Sequence, residues 1–155
     1  MKKLLFGIAI VCSSFGLFAQ NANDYLEVTR EVLKTEKKAL IAEAMELTEA
    51  ESPAFWSLYN EYNEKMYVIN TKLFDVIKDY SEHYEDMSNE KSVELWTNAM
   101  EIETELLKLE KTYFKKFLKI LPGTKAVRYL QAENKVKNLV DAQLALQVPL
   151  FEEKK

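Results

Sequence analysis

Between Ser52 and Met87 the sequence reads SPAFWSLYNEYNEKMYVINTKLFDVIKDYSEHYEDM, and one apolar period runs through all of it. Phe55, Tyr59, Tyr62, Met66, Ile69, Leu73, Val76, Tyr80, His83 and Met87 follow one another at alternating steps of four and three. That alternation places them on one face of an α-helix, with the average spacing of a coiled-coil seam. No glycine interrupts the run. Its one proline, Pro53, falls in the opening turns, where a missing N–H costs least. A helix over about 49–84 is predicted, roughly 50 Å long at a rise of about 1.5 Å per residue.

Local signals mark the start of this helix and of its neighbours. In Leu47-Thr48-Glu49-Ala50-Glu51, Thr48 is an N-cap and Glu51, three residues on, completes a capping box. Asp24 and Glu27 make the same pattern upstream, ahead of a stripe of Leu26, Val32, Leu33, Leu40, Ile41, Ala44 and Leu47 that predicts a helix over 24–47. Ser88-Asn89 is the next turn and cap. It opens a helix over 89–121 carrying Val93, Leu95, Trp96, Ala99, Ile102, Leu106, Leu109, Tyr113, Phe117 and Ile120. Leu121-Pro122-Gly123-Thr124 stops it, with Gly123 permitting a tight turn and Thr124 capping a last helix over 124–147. That helix holds Val127, Tyr129, Leu130, Val136, Leu139, Val140 and Leu144, and Pro149 ends it.

The predicted fold class is therefore all-α. A short turn forces the second and third helices into a long antiparallel hairpin. Such a hairpin buries too little by itself, so two shorter helices are expected to cover it, in an elongated four-helix arrangement, unless a second copy does so as a homodimer. Composition agrees. The 155 residues hold three glycines and three prolines, and beyond Gln20 only Gly123 remains, too few turn residues for a β-rich domain.

Residues 1–19 have the order of a secretory leader. Met1-Lys2-Lys3 is charged, Leu4–Val11 and Phe15–Phe18 are apolar, and Ala19 suits cleavage ahead of the polar Gln20-Asn21-Ala22-Asn23. The apolar stretch is too short and interrupted for a membrane span, so no transmembrane segment is expected in the mature chain. Cleavage would leave one domain, 20–155, and remove Lys2, Lys3 and the sole cysteine, Cys12. The expected location is periplasmic or secreted, without disulfides.

Few chemistries fit the rest. The one histidine, His83, stands on the stripe near the turn, with Asp79, Glu82 and Asp86 within four residues on the same side. Those four are the candidate cation site of a cation-responsive sensor, against a plain structural role for His83, because transition-metal sites normally gather several His or Cys ligands. There is no HExxH, glycine-rich phosphate loop or nucleophile elbow. No catalytic residue, enzyme activity or cofactor is predicted.

Charge is unevenly spread. Acidic residues dominate from Glu43 to Glu105, and basic ones from Lys108 to Lys137. Around the turn, Asp75, Asp79, Glu82, Glu85, Asp86, Glu90, Glu94, Glu101, Glu103 and Glu105 meet only Lys78 and Lys91. Such a tip either keeps the surface solvated or draws cations and basic polypeptide. The formal net charge of −4 argues against nucleic acid as a partner. The aromatic start of the long helix, Phe55, Trp56, Tyr59 and Tyr62, together with Tyr67, is the candidate polypeptide-binding set. The alternative is that neighbouring helices cover it.

Leu47-Thr48-Glu49-Ala50-Glu51 resembles the LTxxQ segment of the periplasmic Spy/CpxP-type helical proteins, with Glu51 in place of glutamine; either side chain closes a capping box. The stretches LTEAESPAFWSLYNEYNEKM, FLKILPGTKAVRYLQAENKV and DAQLALQVPLF are similar to a widespread group of exported bacterial helical proteins without an assigned activity. The resemblance implies a small exported helical protein that works without ATP, as a chaperone or an envelope-stress adaptor, with unfolded or envelope proteins as partners. A structural or assembly subunit is the remaining alternative.

Overall fold

The computed structural model describes residues 35–151. The leader, the Asp24–Glu27 cap and the first half of the predicted first helix lie outside the described residues. The chain divides into two units, Met1–Glu43 and Ala44–Lys155. Residues 35–45 are helical (α1), so the first unit is helical wherever it is described, and Ile41 in it is fully buried.

In the second unit, α1 ends at Glu46, whose φ of 45° lies in the left-handed region that favours glycine. Lys125 Nζ lies 3.4 Å from the Glu46 carbonyl oxygen and Arg128 3.5 Å from its carboxylate, so contacts from far along the chain hold this reversal. The helix therefore stops two residues short of the expected Leu47, and Thr48 boxes a turn over 49–51 that leads into the next helix, which starts at Ser52 rather than at the expected 49.

Three helices follow: α2 Ser52–His83, α3 Asn89–Phe117 and α4 Gly123–Gln147, with a short 3₁₀ turn, Tyr84–Asp86, after α2. The capping box forms reciprocally. Thr48 N–H donates to Glu51 Oε2 at 2.9 Å, and Glu51 N–H donates to Thr48 Oγ at 3.3 Å. At the next start, Ser88 Oγ accepts from Lys91 N–H at 3.1 Å.

The third boundary departs from expectation. α3 ends at Phe117, and residues 118–121 close in a tighter turn, with Ile120 and Leu121 N–H both donating to the Phe117 carbonyl. Pro122 is the N-cap of α4 and no side chain caps it; Thr124 does not. Gly123 has no positive φ and is the first helical residue, so proline stiffness rather than glycine freedom makes this corner.

α2 and α3 run antiparallel, as ion pairs show: Lys116–Glu61 at 2.9 Å near one end, Lys72–Glu105 at 2.7 Å mid-way and Lys91–Asp79 at 2.7 Å by the turn. α4 returns parallel to α2. Lys125 reaches Glu51 at its start, and after its end the Tyr80 and Tyr84 hydroxyls donate to the carbonyls of Pro149 and Leu150 at 2.9 and 3.1 Å. The core gathers at the end away from the turn: Phe55, Tyr59, Tyr62, Tyr113, Phe117, Leu121, Ala126 and Tyr129, with Leu95 and Ile102 further along α3. From Met66 to His83 every stripe residue of α2 is half-buried, as is Met87 just past the 3₁₀ turn. Among the described residues no helix is long and apolar enough to cross a membrane.

Candidate functional site

The aromatic start of α2 is a core. Tyr129 of α4 stands among Phe117 (ring centroids 4.4 Å apart), Phe55 (5.2 Å), Tyr59 (6.1 Å) and Tyr62 (6.4 Å), mostly in edge-on or tilted contacts that suit aromatic quadrupoles. Phe55, Tyr59 and Tyr62 are thus closed off by α3 and α4, and cannot meet a partner while the bundle is intact. This corrects the expectation that they form part of a binding surface: neighbouring helices cover them. Trp56 is half-buried and edge-on to Phe55 and Tyr59, at 5.0 and 5.1 Å. Only Tyr67, 42% exposed, remains open.

A buried acid accompanies the rings. Glu133 is 5% exposed. Burial first, and the Glu133 charge second, push the hydroxyls of Tyr59, Tyr62 and Tyr129 well above the usual phenol range. They stay protonated, and this end of the bundle is a packed, polar-lined core.

At the capping motif, Leu47 is half-buried. Glu51 holds three donors on one oxygen: Thr48 N–H, Thr48 Oγ–H, both at 2.9 Å, and Lys125 Nζ at 2.5 Å. The Lys125 hydrogen bond, followed by those of Thr48, lowers the Glu51 carboxyl to about 2. The motif therefore joins helix starting to the docking of α4.

The acidic residues around His83 are dispersed rather than convergent. Asp79 Oδ2 takes Lys91 Nζ at 2.7 Å, and Asp79 Oδ1 lies 2.9 Å from His83 Nδ1. The Lys91 hydrogen bond chiefly holds the Asp79 carboxyl below its ordinary range and raises the Lys91 ammonium. Glu82 faces Lys78 at 3.8 Å and Asp86 sits in the 3₁₀ turn. Among the described residues no three His, Cys, Asp or Glu side chains come together to hold a metal ion. The cluster fastens the hairpin across its turn.

The outer face of α3 is the surface that sequence reading missed. Val93 and Trp96 were expected on the inward stripe, yet they are 66% and 70% exposed, while Leu95 and Ile102 are buried and Ala99 half-buried. Residues 95, 99, 102, 106, 109, 113 and 117 form the inner row. Val93, Trp96, Met100 and Leu107 form a second row, spaced by three, four and seven along one face. Met100 and Leu107 are 49% and 50% exposed. The signal was present in the pairing of Val93 with Leu95, since residues two apart on a helix do not face the same way. Glu90 and Glu103 stand one helical turn from Val93 and Met100, and Glu94 and Glu101 follow on the adjoining face; all four are exposed. Glu94 has Lys91 at 3.5 Å; Glu90, Glu101 and Glu103 enter no ion pair among the described residues. Below, Leu107 shares a shallow depression with Thr104, Lys108, Lys111, Thr112 and Lys115.

Comparison with protein-family models, curated proteins and solved structures finds no match for this chain.

Proposed function

We propose that the chain is an exported, non-enzymatic binding protein that holds polypeptide partners on a helical surface, in the manner of a chaperone or an envelope-stress adaptor. The observation that carries this reading is the outer row of α3. A large aromatic and three aliphatic or thioether side chains stand in solvent on a helix whose opposite face already supplies the core. Contiguous exposed apolar surface rimmed by polar groups is characteristic of protein-interaction sites, and tryptophan is enriched among the residues that carry binding energy. The leader-like residues 1–19 and the resemblance of Leu47–Glu51 to the Spy/CpxP segment support the same reading.

The contact surface in this proposal is Val93, Trp96, Met100 and Leu107, all exposed, with Tyr67 the one exposed member of the aromatic set first considered. Light scattering from an aggregating, chemically unfolded client tests the reading. Suppression at stoichiometric amounts is expected, and Trp96→Ser combined with Met100→Ser should remove it without changing the melting temperature. A client that aggregates equally with and without the protein would refute the proposal.

A further inference from the structure

We infer that the Trp96 face of α3 is selective for a cationic amphipathic helix: a partner segment with apolar residues at three-and-four spacing, bordered by lysine or arginine. This inference rests on the polypeptide-binding reading above and names the class of segment held.

The row from Val93 to Leu107 covers 15 residues, about 21 Å of helix axis from first to last at about 1.5 Å per residue. A partner helix of roughly four turns matches it, its apolar stripe lying against side chains that stand in line. Charge chooses among such helices. One helical turn from Val93 and Met100 stand Glu90 and Glu103, with Glu101 on the adjoining face, while Glu94 is paired with Lys91 at 3.5 Å and Lys91 is also held by Asp79 at 2.7 Å. An acidic or neutral helix laid here leaves these carboxylates unmatched or opposed, whereas lysine or arginine neutralises them. Polarity also sets direction. Lys108, Lys111 and Lys115 lie past the row's lower end and enter no ion pair among the described residues. The partner's basic end belongs over Val93–Met100, with its less basic end toward Leu107.

A second copy of the chain is the competing occupant, since the lower half of α3 is basic. That half exposes only Leu107 as a large apolar side chain, with Leu118 just past its end, a poor match for Val93, Trp96 and Met100. Four exposed side chains also fall short of the roughly 800 Å² per partner of a standard stable interface, which suits an exchanging peptide contact.

The test uses the whole protein and three fluorescent eighteen-residue peptides: a Leu/Lys amphipathic helix, a Leu/Glu helix of the same pattern, and a scrambled Leu/Lys peptide. Anisotropy is expected to show the first bound at least about tenfold more tightly than the others. Its affinity should fall by about tenfold or more on going from low salt to molar salt. Trp96→Ser, and separately Glu90→Lys with Glu101→Lys, should each weaken it by about tenfold with an unchanged melting temperature. Equal binding of the Leu/Glu helix, or unchanged binding by Trp96→Ser, overturns the inference. So does a concentration-dependent dimer that Trp96→Ser dissociates while no peptide binds, which would assign the face to a second copy. Client aggregation separates the two readings. Suppression without peptide binding defeats only this inference, and peptide binding without suppression defeats the holding function.

Discussion

One carboxylate oxygen at position 51 carries two unrelated tasks. It accepts from Thr48 and so starts α2, and it accepts from Lys125 and so holds the beginning of α4. The pH consequence has a definite sign. The folded-state value of about 2 lies below the ordinary 4.5, so the folded chain binds this proton more weakly than the unfolded one. The stabilisation is fully present above about 4.5 and is lost as pH falls toward about 2. Glu51→Gln keeps a side chain able to accept from Thr48 N–H but removes the titrating charge. Its melting temperature, followed by circular dichroism, is expected to fall less steeply than the parent's across that window. Parallel curves would show that the Lys125 contact does not form. The capping half of this arrangement was legible in the sequence, because Thr48 and Glu51 are three residues apart. The Lys125 half was not, because it joins residues 74 apart.

At the scale of helices, period and sequence agree where one row dominates. All nine stripe positions of α2 from Phe55 to His83 are buried or half-buried, as their spacing requires, and so is Met87 beyond its end. In α3 two apolar rows coexist, and their sum reads as one broad stripe that takes in Val93 and Trp96. Only packing against α2 shows which row faces inward. The corner before α4 shows another limit. Proline and glycine together signalled a turn, but Gly123 is helical, and a Cβ added there would sit 3.9 Å from Leu118 Cδ2, an ordinary contact. Gly123→Ala is accordingly expected to raise stability by about 0.4–1 kcal/mol through the unfolded chain's lost freedom, measured by urea denaturation. A destabilisation would mean that the glycine's conformational range is in use.

For the molecule as a whole, Tyr129 decides how the aromatic start of α2 behaves. Its ring touches α2 and α3 together, so Tyr129→Ala is expected to cost about 3–5 kcal/mol in urea denaturation. Among the described residues its hydroxyl has no partner within hydrogen-bonding geometry, although the Glu133 charge acts on it, so Tyr129→Phe should stay within about 1 kcal/mol of the parent. Equal losses in the two variants would show that the hydroxyl is bonded. The raised tyrosine values give the alkaline sign: stability is complete below about 10, the ordinary phenol value, and declines as pH rises above it. The core is tight at this end and loosens toward the turn, where the Asp79, Lys91 and His83 contacts and the Tyr80 and Tyr84 hydroxyls do the fastening.

The helices, their periods and the caps at Thr48 and Ser88 were determined by sequence alone, because a helical hydrogen bond or an N-cap spans only three or four residues. The covering of Phe55, Tyr59 and Tyr62, the commitment of Asp79 to Lys91 and the outward turn of Trp96 were decided by tertiary structure. Each depends on which face of one helix meets another, and a periodic pattern names faces without naming their partners.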